Sequence, residues 1–472
     1  MSSIYSDRLE KRNFQLKLDN NFSNYGQLEK GEITGDQIRF NDIDQGMPIR
    51  GNFIPNKNDK KIFLDNQIND FSLFDKTNNN NQFKINYYDP FENNNNLSNM
   101  KNLDQTDILL NNDINRLSNN IDEYGYFLFN NIQKYLLKNT YLISSFNLHV
   151  ILSTLFVASK NKTSQELKNY LNLNDRSKTM ADLNLFYSEI EKIKYIDILN
   201  FFIVPYECKI NKTFVSYLPC IKVLNYDSND SKDSKYTDLN NESIKINKYI
   251  SNCHNYNFTN TIKSNYLKDQ SIIALISGKI EPIWENNFDE VITDIFVSYT
   301  KRNQVFVLSR NKDYYYFSHE KLQLLEIPTY DKKLSFGIIT TSDTYFPTIN
   351  NDTVNYMISN LAPTNFKYLI LPRIKENLKM RYTNILKESG LQTIFNNMEI
   401  PELIADSNIN LNDILQNIYL VIDKNNGKNS NNSTNTTVKT QNKPIVKKID
   451  TPFIYYIRLN TINTILCLGQ YC

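Results

Sequence analysis

The chain has 472 residues, and its 53 Lys and Arg against 51 Asp and Glu leave a net charge of +2, so no global field gathers nucleic acid or an anionic membrane. Hydrophobic residues at 40% and charged residues at 22% describe a folded chain with enough apolar surface for at least one large core. The first residues, MSSIYSDRLEKRNF, hold no apolar core, and the longest apolar run, ILSTLFVA at 151–158, is too short to cross a bilayer. The expectation is a soluble intracellular protein without a standard secretion signal. Cys208, Cys220, Cys253, Cys467 and Cys472 are odd in number and show no CxxC spacing, which predicts inert thiols rather than a zinc site or a disulfide framework.

In chain order, residues 1–118 come first, with NNNN at 78–81 and again at 93–96 and short apolar islands such as YYDPF. Those islands have no sustained period and bury too little to offset ordering entropy, so 1–118 reads as a poorly ordered Asn-rich extension with the folded domain at 119–472. Ile121, Tyr124, Leu128, Ile132, Tyr135 and Leu136 recur at helical spacing. NLHVILSTLFVAS at 147–159 is apolar on nearly all sides, with Asn147 as the expected cap, and belongs inside a sizeable domain. Thr163 and Glu166 have the spacing of a capping box. Strand-like runs follow at 196–204, 271–277, 322–328, 334–340, 417–423 and 453–459. Helices early and strands late predict an α+β fold with a large, mostly antiparallel sheet.

Enzyme signatures are missing. No HExxH, GxSxG, GxGxxG or phosphate-binding loop occurs. Of the three histidines, His149 falls in the apolar helix as a core residue, while His254 and His319 lie in polar or turn-like surroundings and read as surface positions. No catalytic residue, cofactor or metal site is expected.

From 121 onward the order of segments resembles the serpins, the serine proteinase inhibitor family. DEYGYFLFNNIQKYLLKNTYLIS is similar to the family's first helix and following strand, and SSFNLHVILSTLFVASKNKTSQEL to the next helix. INKYISN resembles its "IN-x-W/Y-V" helix, and SIIALISGKIEPIW its "LVNA-x-FKG-x-W" strand, with Trp284 at the family tryptophan. LLEIPTYDKKLSFGIIT, LPRI, LKESGLQTIFN and the closing PFIYYIRLNTINTILCLGQ fit the remaining frames in order. The resemblance implies a serpin fold and a serine or cysteine proteinase as partner, with no role for nucleic acid or membrane. The Asn-, Ile-, Lys- and Tyr-heavy composition resembles that of an A/T-rich genome, which suggests a serpin-like protein of a giant DNA virus.

The resemblance places the reactive-centre loop at 427–451, and the interval from Gly427 to Pro452 matches the length found in inhibitory members. Loop length puts the scissile bond near Gln441–Asn442. The family's hinge runs Gly, Thr, Glu and then small residues, mostly Ala; this chain reads Gly427, Lys428, Asn429, Ser430, Asn431, Asn432, Ser433. With strand alternation, Lys428, Ser430, Asn432 and Thr434 would turn toward the core, where unpaired polar groups are costly. Asn425 stands near the place of the hinge glutamate, Gln416 at that of the sheet-opening histidine, and Ser277 at that of its partner asparagine. The hinge favours a non-inhibitory serpin-like binding module. The alternative is a working inhibitor that acts by loop cleavage and insertion, and a third reading gives 1–118 a partner-docking role.

Overall fold

The computed structural model describes residues 105–173, 175–218, 220–227, 239–256, 258, 260–267, 271–298, 301–343, 346, 348–405, 409–424 and 445–472, with side chains from 115 onward. The elements run in the order α1 (Gln105–Gln133), β1 (Tyr141–Ile143), α2 (Ser145–Ala158), α3 (Asn161–Leu171), α4 (Arg176–Ile190), β2 (Ile196–Pro205), α5 (Lys212–Ser216), β3 (Ile221–Tyr226), α6 (Leu239–Cys253), β4 (Ile272–Ile280) and β5 (Glu290–Val297). They continue through β6 (Lys301–His319), β7 (Leu322–Pro328), β8 (Leu334–Thr341), α7 (Asn351–Ser359), β9 (Ala362–Pro372), β10 (Ile374–Arg381), α8 (Thr383–Glu388), α9 (Thr393–Asn396), β11 (Leu411–Ile422), β12 (Ile445–Lys448), β13 (Phe453–Leu459) and β14 (Thr464–Tyr471).

The strands form two sheets. The nine-stranded sheet has the order β1-β14-β13-β8-β7-β6-β9-β12, with β5 added on β6. The five-stranded sheet has the order β10-β11-β4-β2-β3. Antiparallel pairs dominate, but β4 and β11 run parallel at the centre of the smaller sheet, as do β2 and β3 near its edge. Two strands joined by a hairpin cannot be parallel, and here 130 positions of numbering separate β4 from β11.

Helix α2 is buried at every residue from Ser145 to Ala158, which is why its sequence has no polar face. Its packing carries one side of the five-stranded sheet, because Ala274 and Ile276 of β4 and Ile414 and Ile418 of β11 join the same core as Leu148, Ile151 and Leu155. The other side of that sheet has a smaller core in which Ile246 and Ile250 of α6 meet Phe201, Ile273, Leu275 and Leu415. Alternation along β4 and β11 therefore sorts even and odd residues onto different faces.

Local details depart from the sequence reading. α1 begins ahead of the boundary expected at Asn119, and Leu117 and Ser118 are buried; the Ser118 hydroxyl bonds Ile462 O and Asn463 O, each at 3.1 Å. Tyr135 and Leu136 follow the helix rather than continue it. Asn147 is not the cap of α2, because the helix starts at Ser145 behind Ser144. The Thr163–Glu166 capping box does not form either. α3 starts at Asn161, and the two side chains turn outward to a neighbouring segment: Thr163 Oγ1 accepts from Glu399 N at 3.1 Å and Glu166 from Thr393 N at 2.7 Å.

Candidate functional site: the central seam and the base of the loop

The parallel pair β4–β11 is the seam of the smaller sheet, and β11 is the last element before residues 425–444. The positions expected for the reactive centre, Gln441 and Asn442, and for the hinge, Gly427 to Ser433, lie outside the described residues. Both anchor points of the loop are described. At the start, Trp284 is buried, and its indole N–H donates to Asp423 O at 3.0 Å. Lys375 pairs with Asp423 Oδ2 at 2.5 Å. Trp284 also packs against Phe288 and Phe336 and makes an isolated bridge to Thr329, so the end of β11 is pinned to the nine-stranded sheet. At the far end, β12 pairs parallel with β9, and Lys448 Nζ reaches Asp294 and Asp450 at 2.8 and 3.1 Å.

Gln416 sits mid-strand in β11 and is almost fully buried. Its Oε1 accepts from Ser144 N at 2.8 Å and from the Tyr382 hydroxyl at 2.6 Å. Its Nε2 donates to Leu142 O at 2.7 Å. Burial holds the Tyr382 hydroxyl well above its ordinary pKa, so this hydroxyl is a fixed donor. The polar band continues sideways: Ser144 Oγ donates to Asn147 Oδ1 at 2.8 Å, Asn147 Nδ2 to Asn200 Oδ1 at 3.1 Å, and Asn200 Nδ2 to Cys220 O at 3.2 Å. A single amide therefore ties β11 to the start of α2 and to β1, and two asparagines extend the tie to β2. Sequence reading named Gln416 and took Asn147 for a helix cap, but passed over Asn200 and Tyr382. The signal was a lone Asn inside each of two apolar runs, where a buried amide has to find partners.

Gln416 and Ser277 are not neighbours. In the register Ile276 stands beside Gln416, and Ser277 beside Asn417. Ser277 therefore points to the opposite face, under α6, where its Oγ lies 2.9 Å from His254 Nε2. His254 is not a surface residue: it is buried, with its ring edge-on to Phe201 and Phe258. Its Nδ1 lies 2.9 Å from Asp197 Oδ2. The three side chains stand in the order of a Ser-His-Asp relay, but His254 Nδ1 makes no hydrogen bond, Ser277 is completely buried in mid-strand, and no substrate carbonyl reaches its hydroxyl in this state.

The remaining titratable groups fit a structural role. His149 is fully buried, its Nδ1 lies 3.2 Å from Ser153 Oγ, and burial lowers its pKa to about 4. His319 is exposed, as expected. All five cysteines are free, and burial pushes Cys220 and Cys472 up to about 11 and Cys467 to about 12. No group of three metal-ligating side chains occurs among the described residues, nor any helix long and apolar enough to cross a membrane.

A five-stranded sheet with a parallel central seam and a nine-stranded sheet, with residues 423–444 between β11 and β12, fit the serpin class of protein. The family model described as "Serpin (serine protease inhibitor)" matches residues 119–472, and the chain belongs to the serpin family. It is 22% identical over 351 residues to an uncharacterized serpin-like protein of Acanthamoeba polyphaga mimivirus, covering 70% of this chain and 84% of that relative. Native protease nexin-1, solved with heparin, superposes with a TM-score of 0.66 at 17% identity, over 76% of this chain and 99% of the other. Maspin gives 0.65 at 17% identity with the same coverage. These likenesses to solved structures establish the fold.

Proposed function

We infer that this protein presents its 427–451 segment to proteinases as an exposed substrate-like loop, and that it acts as a non-inhibitory serpin-like binding module rather than as a trap. One observation carries the reading: the sequence of the loop's first half is mismatched to the seam. A strand inserted between β4 and β11 would have Ala274, Ile276 and Ile280 on one side and Ile414, Ile418 and Leu420 on the other, all completely buried. Lys428, Ser430, Asn432 and Thr434 share one parity of strand alternation and would meet that apolar face. A buried unpaired ammonium costs several kcal/mol, and each unsatisfied amide or hydroxyl about 1–3 kcal/mol. Asn is also poorly suited to a strand.

Trapping requires insertion to outrun release of the proteinase, so these costs favour simple turnover of the loop. The deciding experiment cleaves the loop near Gln441–Asn442 and compares melting temperatures before and after. The expected result is little change and no adduct that survives denaturation with any serine or cysteine proteinase tested. A large rise in melting temperature, or one such adduct, returns the protein to the inhibitors. That second reading is favoured by a separate observation: β4 and β11 pair directly in parallel with no strand between them among the described residues, the arrangement into which an inhibitor inserts its loop. Similarity to the mimivirus protein supports a giant DNA virus as the source.

A further inference from the structure

We propose that β5 is an interface strand, whose open edge pairs antiparallel with β5 of a second copy of this chain about a two-fold axis at Thr293. β5 lies off the main path of the nine-stranded sheet, with β6 as its one strand partner among the described residues. The two run in an unbroken register from Glu290 opposite Leu308 to Val297 opposite Lys301. Natural edge strands are blunted by Lys, Pro or a bulge, and EVITDIFV has none of the three. Val291, Thr293, Ile295 and Val297 are instead β-branched and exposed in strict alternation, with Val291 at 43% and Ile295 at 41%.

Backbone direction marks the open part of the edge. Val297 N donates to Asp450 O at 2.6 Å and Ile295 N to Asp294 Oδ1 at 2.7 Å, so the odd-numbered residues turn their N–H and C=O groups away from β6. The segment after β12 thus caps the edge at Val297, and 290–295 is left for a partner. A two-fold axis normal to a sheet keeps every side chain on its own face, so only residues of like parity can meet. Centred at Thr293, it sets Val291 against Ile295 of the second copy and Thr293 against Thr293, both favourable cross-strand pairs. Centred at Asp294, it would instead use the capped Val297 and oppose two carboxylates. Charge does not stand in the way: Glu290 is paired with Arg310 and Asp294 with Lys448 at 2.8 Å, and a net charge of +2 repels a second copy little. So short an edge buries less than the about 1,200 Å² of a tight complex, which makes the dimer a transient one that forms over about 1–100 μM. Because the contact is isologous, it closes at two copies and starts no filament.

Sedimentation of the full-length protein over that concentration range tests it. The expected result is a monomer–dimer equilibrium that Ile295→Lys weakens at least about tenfold, with melting unchanged because the side chain is exposed. Thr293→Cys should cross-link to its own copy with a short thiol-specific reagent, well above the wild-type background. Val297→Cys, at the capped end, should stay at that background. A dimer that Ile295→Lys leaves intact, or stronger cross-linking at Val297→Cys than at Thr293→Cys, overturns the proposal. So does a monomer at the top of the range, and slow exchange of its Val291 and Thr293 amides would then show that another segment of the same chain holds the edge.

Discussion

Gln416 shows how much one amide can organise. Replacing it with Leu keeps the volume but leaves Ser144 N–H, the Tyr382 hydroxyl and Leu142 O without their partner. Stranding buried groups costs far more than a typical hydrogen bond contributes, so Gln416→Leu should lose about 3 kcal/mol, read as a lower denaturation midpoint with an unchanged slope. His149 makes a pH-dependent prediction. Its pKa falls from 6.5 to about 4 through burial alone, so the folded state holds it neutral while the unfolded chain takes up a proton. Stability is therefore full above pH 6.5 and declines toward pH 4, by as much as about 3 kcal/mol. His149→Met should flatten that part of the stability profile relative to wild type; an identical acid slope in both proteins refutes the assignment. At this scale the sequence was only partly legible. Trp284 and Gln416 stood out because each replaces or matches a recognisable position. The His254–Ser277 contact did not, because polar neighbours in the sequence say nothing about what lies above a residue in space.

Elements were easier to read than contacts. The six strand-like runs all appear as strands, since β-branched and aromatic residues between turn signals leave little choice. β6 escaped notice because its sequence, KRNQVFVLSRNKDYYYFSH, mixes charges into a strand that changes partners along its length, pairing with β5, β7 and β9. Local period also mistook Asn147 and Thr163 for caps, when tertiary partners had claimed their side chains. The hinge gives the sharpest test at this scale. Replacing Lys428 with Thr and Ser430 to Ser433 with Ala should restore part of the thermal stabilisation on loop cleavage if polar side chains are the obstacle; no gain would place the obstacle elsewhere. α1 gives another. A chain starting at Gln105 should melt like the full-length protein. One starting at Asn119 loses Leu117 and the Ser118 hydrogen bonds, about 2 kcal/mol or more, and should melt several degrees lower.

At the scale of the whole molecule, the fold came through the order of its segments, because family frames fix topology even where no single frame is specific. Limited proteolysis should report the same organisation: the first cuts are expected in 428–444 and in the Asn-rich stretch before α1, and early cuts within β2, β7 or β8 would contradict it. The position of the final strands has a consequence for how the molecule is made. β14 is buried at every residue and lies between β1 and β13, and β13 in turn pairs with β8. The strands that join the first segment of the fold to the middle of the larger sheet are therefore made after all its other strands. Until they are made, the parts of β1, β8 and α2 that meet β13 and β14 lack those partners, and contacts this remote in sequence form slowly. A chain that lacks β13 and β14 should therefore be prone to aggregate. Removing only residues 464–472 should leave the protein in inclusion bodies, whereas shortening the 428–444 segment, which is nearly twice as long, should leave it soluble.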